Sequence, residues 1–321
     1  MIQIQQIREN PNKIIVLGDH EPLIQSMLDF DYLSGKPEGS VVGIVTGRRG
    51  YAKYFWGRGE VLIPTYESLQ SITHDPRSKY WFLNLLSGRR VLSSTLEAQS
   101  TNFVGGAIFG ENTPELHALE IIRANSLESN ISLLSPKLIV GPASVGLLVP
   151  GSLKLGPIGG ITPAQIEESG IIKAGHVAVM SASGGMTNEL INIATTAGHN
   201  LSFALSFGGD RFPILSPREA FLLAEGDPET HTVLYYGELG GEDEYELVKL
   251  KEEGKFTKQV VAHIAGTVAD LFAESPQFGH AKAKADKARV TAVAKRDALQ
   301  AAGFQVSHSF TEFIELVNKL K

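Results

Sequence analysis

Apolar residues in this chain gather in short, almost unbroken runs rich in β-branched and aromatic side chains. Between those runs they return at spacings of three and four. The first half predicts strands at Lys13–Leu17, Val41–Val45, Trp81–Leu86, Asn102–Phe109 and Lys137–Val140, with helices at Pro22–Phe30, Tyr66–Ile72 and Thr113–Ala124. Near-continuous apolar strands separated by helices mean a parallel sheet covered on both faces.

The segment Gly141–Gly170 breaks the rhythm with four prolines and seven glycines, and predicts a connector between two domains. The alternation then resumes, with strands expected at His176–Met180, Leu201–Phe207, Thr232–Tyr236 and Gln259–Ile264. Helices are expected at Met186–Thr196, Pro217–Ala224, Gly241–Glu252, Ala281–Ala302 and Thr311–Leu320. The expected class is α/β: a Rossmann-like domain over residues 1–165 followed by a flavodoxin-like, parallel-sheet domain over residues 166–321.

Composition narrows the setting. The 321 residues are 43% hydrophobic and 20% charged, with a net charge of −6. An acidic balance argues against a nucleic-acid surface, which needs a basic face. There are no cysteines, which removes disulfides and thiolate chemistry. No signal-peptide pattern opens the chain, and no apolar run reaches the roughly 18 residues of a membrane span, so a cytoplasmic protein is expected.

In open α/β sheets ligands bind beyond the carboxyl ends of the strands, so the chemistry is sought in those loops. Gly18-Asp19-His20-Glu21 lacks the G-x-G-x-x-G fingerprint and carries two carboxylates that repel a pyrophosphate, against a nicotinamide-dinucleotide site. Thr46-Gly47-Arg48-Arg49-Gly50 is dibasic and glycine-flanked, suited to several phosphates of one ligand, and equally to a solvated turn. Ser183-Gly184-Gly185 opens a helix after a strand, where small side chains let backbone N–H groups approach an anion. Glu238, in Gly237-Glu238-Leu239-Gly240-Gly241, is a carboxylate able to fix the tautomer of a histidine brought from elsewhere.

That histidine is best sought at Gln277-Phe278-Gly279-His280-Ala281-Lys282, where a polar loop runs into an alanine-rich stretch that predicts a helix start. Two readings stand for this stretch by itself: a surface histidine capping a helix, or a histidine set beside an anion site to carry a phosphoryl group. No pair of histidines has the spacing of a zinc motif, and no protein-held metal is expected.

Taken in order, these loops resemble the α subunit of the succinyl-CoA synthetase superfamily, and more closely the matching segment of ATP citrate lyases. The resemblance rests on Met27–Tyr32, Tyr54–Gly57, Leu62–Pro64, Gly141–Gly146, Ser183–Leu190, Gly208–Pro213, Gly237–Gly241 with Glu244-Tyr245, and Gln277–Ala281, and runs from about residue 20 to the C-terminus. It implies a citrate–CoA ligase subunit that forms citryl-CoA through a phosphohistidine and citryl-phosphate. The family implies an ATP-grasp partner of the succinyl-CoA synthetase β type, which supplies ATP with Mg, in a hetero-oligomer, with any citryl-CoA lyase a separate protein. It assigns His280 as phosphoryl carrier, with Glu238 and Glu111 as carboxylates beside it. Ser183, Gly184 and Gly185 then hold the phosphoryl group. Gly47, Arg48, Arg49, Asn84, Ser87 and Ser144 fall to coenzyme A.

The chain departs from the family pattern at Lys282 and Ala182, where a glycine and an arginine are usual, at Asn112-Thr113, and in the first loop. These departures frame two further readings: a ligase for another carboxylic acid, and a CoA-binding regulatory subunit without chemistry.

Overall fold

The computed structural model describes residues 1–131, 136–272, 280, 283–284 and 288–320. Among these, two seven-stranded sheets stand in sequence. The first half runs α1 (Ile4–Glu9), β1 (Asn12–Leu17), α2 (Glu21–Leu33), β2 (Val41–Val45), β3 (Gly50–Trp56), β4 (Gly59–Tyr66), β5 (Lys79–Asn84), α3 (Gly88–Gln99), β6 (Phe103–Ile108), α4 (Glu115–Ile131) and β7 (Leu138–Val140). Its order is β3-β4-β2-β1-β5-β6-β7, parallel except for the β3–β4 hairpin. From β1 the chain winds first toward β2 and β4, then back past β1 to β5, β6 and β7. The carboxyl end of β1 is therefore a topological switch point, with the Arg48 and Ser87 loops on either side.

The second half runs β8 (Leu147–Val149), β9 (Leu153–Leu155), α5 (Pro163–Glu168), β10 (Ala174–Ser181), α6 (Gly184–Thr196), β11 (Leu201–Ser206), α7 (Pro217–Gly226), β12 (Thr232–Glu238), α8 (Asp243–Glu252), β13 (Gln259–Ala265), α9 (Ala292–Ala301), β14 (Gln305–Ser307) and α10 (Phe310–Asn318). The parallel strands lie in the order β14-β13-β12-β10-β11, the flavodoxin-like pattern, and the β8–β9 hairpin adds antiparallel beyond β11. Strands β7 and β11 are buried along their whole length, as sheets covered on both faces require. The fold class is the expected α/β pair.

Several expectations need correction. The proline-rich segment 141–170 is more than a connector, because it supplies β8 and β9. Sheet membership changes between Val140 and Leu147, ahead of the boundary expected at residue 165. The helix expected at Tyr66–Ile72 is the end of β4 and a single 3-10 turn at Leu69–Ser71. The β3–β4 hairpin was not foreseen; its residues are mostly exposed or half-buried, so the apolar alternation that betrays a strand is weak. Helix α3 was also missed, because Ser87-Gly88-Arg89-Arg90 reads as a turn. Among the described residues of the expected helix Ala281–Ala302 the α-helix is α9, Ala292–Ala301, where the Thr291 hydroxyl accepts from the Ala294 N–H. Gln277–Gly279, Ala281, Lys282 and Ala285 lie outside the described residues.

The halves are tied at both ends of the first sheet. Before β1, Arg8 on α1 grips Asp227 after α7 bidentately, at 2.6 and 2.8 Å. After β7, the chain crosses to β8. Between α2 and β9 the fully buried Lys154 donates to Ser26 Oγ at 3.0 Å and the Gly156 carbonyl at 2.8 Å.

Candidate active site

A cleft of about 560 Å³ opens where the carboxyl ends of β6 and β7 meet those of β10 and β11. Its lining includes Glu111 and Asn112 after β6, Ser144 and Val145 after β7, Ser183–Gly185 after β10, Gly209 and Asp210 after β11, and His280. These loops converge for a topological reason. In the second sheet β11 and β12 lie on opposite sides of β10, so the chain turns in opposite directions there and leaves a crevice.

His280 Nδ1 lies 2.8 Å from Glu238 Oε1 and 3.0 Å from Oε2, with both side chains only partly exposed. A carboxylate accepting at Nδ1 fixes the proton there and leaves Nε2 with its lone pair. The Nε2 edge of the ring packs on Gly209. A Cβ at that position would stand 2.8 Å from Nε2 and 2.5 Å from Cδ2, so only glycine admits the imidazole without displacement.

The start of α6 lines the same cleft as His280. The Ser183 side chain caps α6 by accepting from the Met186 N–H, and its own backbone N–H donates to Ser181 Oγ at 3.1 Å. Gly184 and Gly185 occupy the first two helical positions, whose N–H groups have no acceptor within the helix. With no Cβ between those N–H groups and the cleft, the helix start offers oriented donors and the positive end of its dipole.

Asp210 joins the two halves across the cleft. Its Oδ2 accepts from the Thr113 N–H at 3.1 Å, and the Asn112 N–H also bonds to the carboxylate. Asn112 holds the left-handed conformation, at φ 56°, that asparagine tolerates better than most side chains. Burial raises the Asp210 carboxyl above its ordinary range against the pull of those N–H groups, and nearby Glu111 pushes the same way. Glu111 thus belongs to the same cleft as His280, whereas the direct carboxylate partner of the ring is Glu238.

The residues assigned to coenzyme A fall into two groups. Gly47, Arg48, Arg49 and Ser87 are exposed at the carboxyl edge of the first sheet, Gly47 in a turn at φ 81°, with Arg49 only loosely opposite Glu67 at 3.9 Å. Asn84 and Ser144 are buried and occupied within the protein. Asn84 Nδ2 donates to Ser94 and Thr95 on α3, and its Oδ1 accepts from the Leu86 N–H. Ser144 Oγ donates to the Ser206 carbonyl and accepts from the Gly146 N–H, pinning the β7–β8 turn onto β11. Arg89 and Arg90, not singled out from the sequence, stand exposed in the first turn of α3. Cations there oppose the helix dipole, so that turn is suited to an anion. The signal was readable as Ser87-Gly88-Arg89-Arg90 directly after an apolar strand. No cluster of histidine and carboxylate side chains that could hold a metal occurs among the described residues, and no helix among them is long and apolar enough to cross a membrane.

Residues 180–305 match the CoA-ligase family. The chain carries a CoA-ligase domain and is homologous to part of the ATP-citrate synthases. It is 33% identical to the probable ATP-citrate synthase subunit 1 of Schizosaccharomyces pombe over 96% of this chain and 49% of that protein. It is 36% identical to ATP-citrate synthase beta chain protein 1 of Arabidopsis thaliana over 92% of this chain and 48% of that one. The solved ATP citrate lyase of Methanothrix soehngenii in complex with citrate and coenzyme A superimposes with a TM-score of 0.90 at 33% identity, over 96% of this chain and 49% of that one. The chain therefore spans about half the length of these three relatives.

Proposed function

We propose that this chain is the ligase part of a citrate–CoA ligase, forming citryl-CoA by way of a phosphohistidine at His280 and citryl-phosphate. The observation that carries the reading is the His280–Glu238 pair at 2.8 Å, in a cleft that also holds the bare start of α6. Citrate enters the proposal through the citrate and coenzyme A of the similar archaeal enzyme.

Each step uses groups of this chain. His280 Nε2 attacks the γ-phosphorus of ATP, an N–P bond forms and ADP leaves. Glu238 holds the Nδ1 proton and stabilises the positive ring. The phosphoryl oxygens rest on the Gly184 and Gly185 N–H groups and the Ser183 hydroxyl, whose proton is free to donate because its oxygen accepts from Met186. A citrate carboxylate oxygen then takes the phosphorus, and the ring returns to its neutral tautomer. Attack of the thiol of coenzyme A on the acyl carbon expels phosphate, and the thiol proton passes to a base. Gly47, Arg48, Arg49 and Ser87 hold the phosphates of coenzyme A, joined by Arg89 and Arg90. Asn84 and Ser144 shape the loops around it. Glu111, kept in place through Asp210, faces the same cleft as a further acid–base group.

ATP with Mg belongs to an ATP-grasp partner subunit in a cytoplasmic hetero-oligomer. Co-expression with that partner and incubation with γ-labelled ATP tests the reading. Acid-labile label on wild type and none on His280→Ala is expected; an unlabelled wild-type complex, or label persisting on the variant, removes His280 from the reaction. Replacing citrate by succinate in the CoA-dependent turnover assay distinguishes a ligase for another acid.

A further inference from the structure

The Glu238 turn rests on a buried charge. Lys295, in the first turns of α9, is 1% exposed, and its ammonium lies 2.8 Å from the Glu238 carbonyl, 2.5 Å from the Gly240 carbonyl and 2.6 Å from Glu244 Oε2. The ammonium donates to the two carbonyls and forms an ion pair with the carboxylate. Glu244, equally buried, is anchored in turn by the Tyr235 hydroxyl, which donates to Oε1 at 3.2 Å. The same Oε1 stands against Gly237. A Cβ there would approach it to 2.1 Å, so Gly237 is glycine because the carboxylate lies on it. Two backbone bonds complete the frame: the Leu239 N–H donates to the Ala265 carbonyl and the Gly240 N–H to the Val290 carbonyl.

A buried Lys–Glu pair is a poor source of net stability, because desolvating two charges cancels most of their attraction and an apolar pair of similar volume does as well. What this pair does, and an apolar pair would not, is seize the carbonyl of the residue whose carboxylate meets His280, together with that of Gly240 two residues further on. We propose that Lys295 is a positioning residue. Paired with Glu244, it fixes the Glu238 backbone so that the carboxylate holds the His280 proton on Nδ1 and leaves Nε2 ready to accept the phosphoryl group. The proposal rests on the reading of His280 as phosphoryl carrier, but its first consequence, the tautomer of the ring, is measured without any transfer.

The test uses the full chain with its ATP-grasp partner, comparing wild type, Lys295→Met and the charge-free double variant Lys295→Met/Glu244→Gln. The single variant strands a buried carboxylate and is expected to fold poorly; the double variant removes both charges and keeps the fold judged by thermal melting. Two-bond ¹H–¹⁵N correlation spectra report the His280 tautomer, and γ-labelled ATP reports the rate of labelling. In the folded double variant the Nδ1–H tautomer of wild type gives way to a mixture. Labelling slows roughly ten- to hundredfold, the range found when groups that orient metal-bound histidines are removed, with KM for ATP unchanged. A folded double variant that keeps both the wild-type tautomer and the wild-type rate overturns the proposal. A wild-type complex that takes no label, yet whose fixed tautomer is lost in the double variant, overturns the phosphoryl reading and upholds the positioning one.

Discussion

Glu238, at the carboxyl edge of the second sheet, is held at its carboxylate by His280 and at its carbonyl by Lys295, whereas Arg48 and Arg89, at the matching edge of the first sheet, lie exposed. The two edges share a topology and differ in how far their side chains are fixed in advance. At the first, the proposed task is to gather the phosphates of a ligand that brings its own charge, so mobile cations suffice and order comes with binding. At the second, the proposed task is to pass a phosphoryl group through one ring nitrogen. There a displacement of about 1 Å is expensive, and the surrounding groups are locked before any ligand arrives.

That contrast can be broken or sharpened by substitution. The largest effect is expected from Glu238→Gln, which keeps the shape but removes the charge that stabilises the phosphorylated ring. Labelling of His280 should fall by about 10²-fold or more, and a loss under threefold would mean the pair is not part of transfer. Gly209→Val comes next. The branched side chain displaces the imidazole from its resting place, and labelling is expected to drop roughly tenfold or more while binding of coenzyme A is unchanged. Loss of coenzyme A binding in that variant would erase the distinction between the edges. Arg48→Ala with Arg49→Ala should act the other way. Calorimetry should show coenzyme A bound about tenfold more weakly, most markedly at low salt, with the rate of phosphohistidine formation intact.

The smallest effect on turnover and the clearest on stability is expected between the edges, at Lys154. Burial pushes its ammonium down to about 7, against the pull of Asp31 and Asp29. Because the folded pKa lies below that of the unfolded chain, protonation burdens the folded state fully below about pH 7, and the burden is lifted as pH rises toward the unfolded value. Lys154→Met should therefore gain most over wild type at low pH. The gap should close by about 1.4 kcal/mol per pH unit above pH 7, as read from urea titrations at several pH values. A gap independent of pH would show that Lys154 is not the titrating group.

Much of the molecule was legible in its sequence, for particular reasons. The strands β1, β2, β11 and β12 announce themselves because burial on both faces demands unbroken apolar runs. The meeting of His280 with Glu238, 42 residues apart, was reachable through the family resemblance. It was not reachable from spacing, which contains nothing about which loops a sheet order brings together. Where sequence reasoning failed, the chain offered competing signals. The prolines and glycines of 141–170 speak for a connector, but those between the short strands β8 and β9, at Pro150 and Gly151, form the turn of a hairpin. Ala283, Lys284 and Ala288 carry helix-forming side chains, yet α9 starts at Ala292, behind its Thr291 cap. Nothing in the sequence singles out Lys295, because single-sequence patterning cannot see an oxygen-lined hollow.

The β8–β9 hairpin has a consequence for anyone who would divide this chain. It lies within the span 1–165 that the sequence assigns to the first domain and belongs by hydrogen bonds to the second sheet, where Leu147 and Leu148 pair with Leu205 and Ala204. A fragment begun at residue 166 leaves the fully buried strand β11 as a naked edge, a template for another chain to add itself. One begun just before Leu147 keeps that edge covered. The part of the protein that reads as a tether is thus the selvedge of the sheet beside its reactive cleft, and where the scissors fall decides between a folded unit and an aggregate.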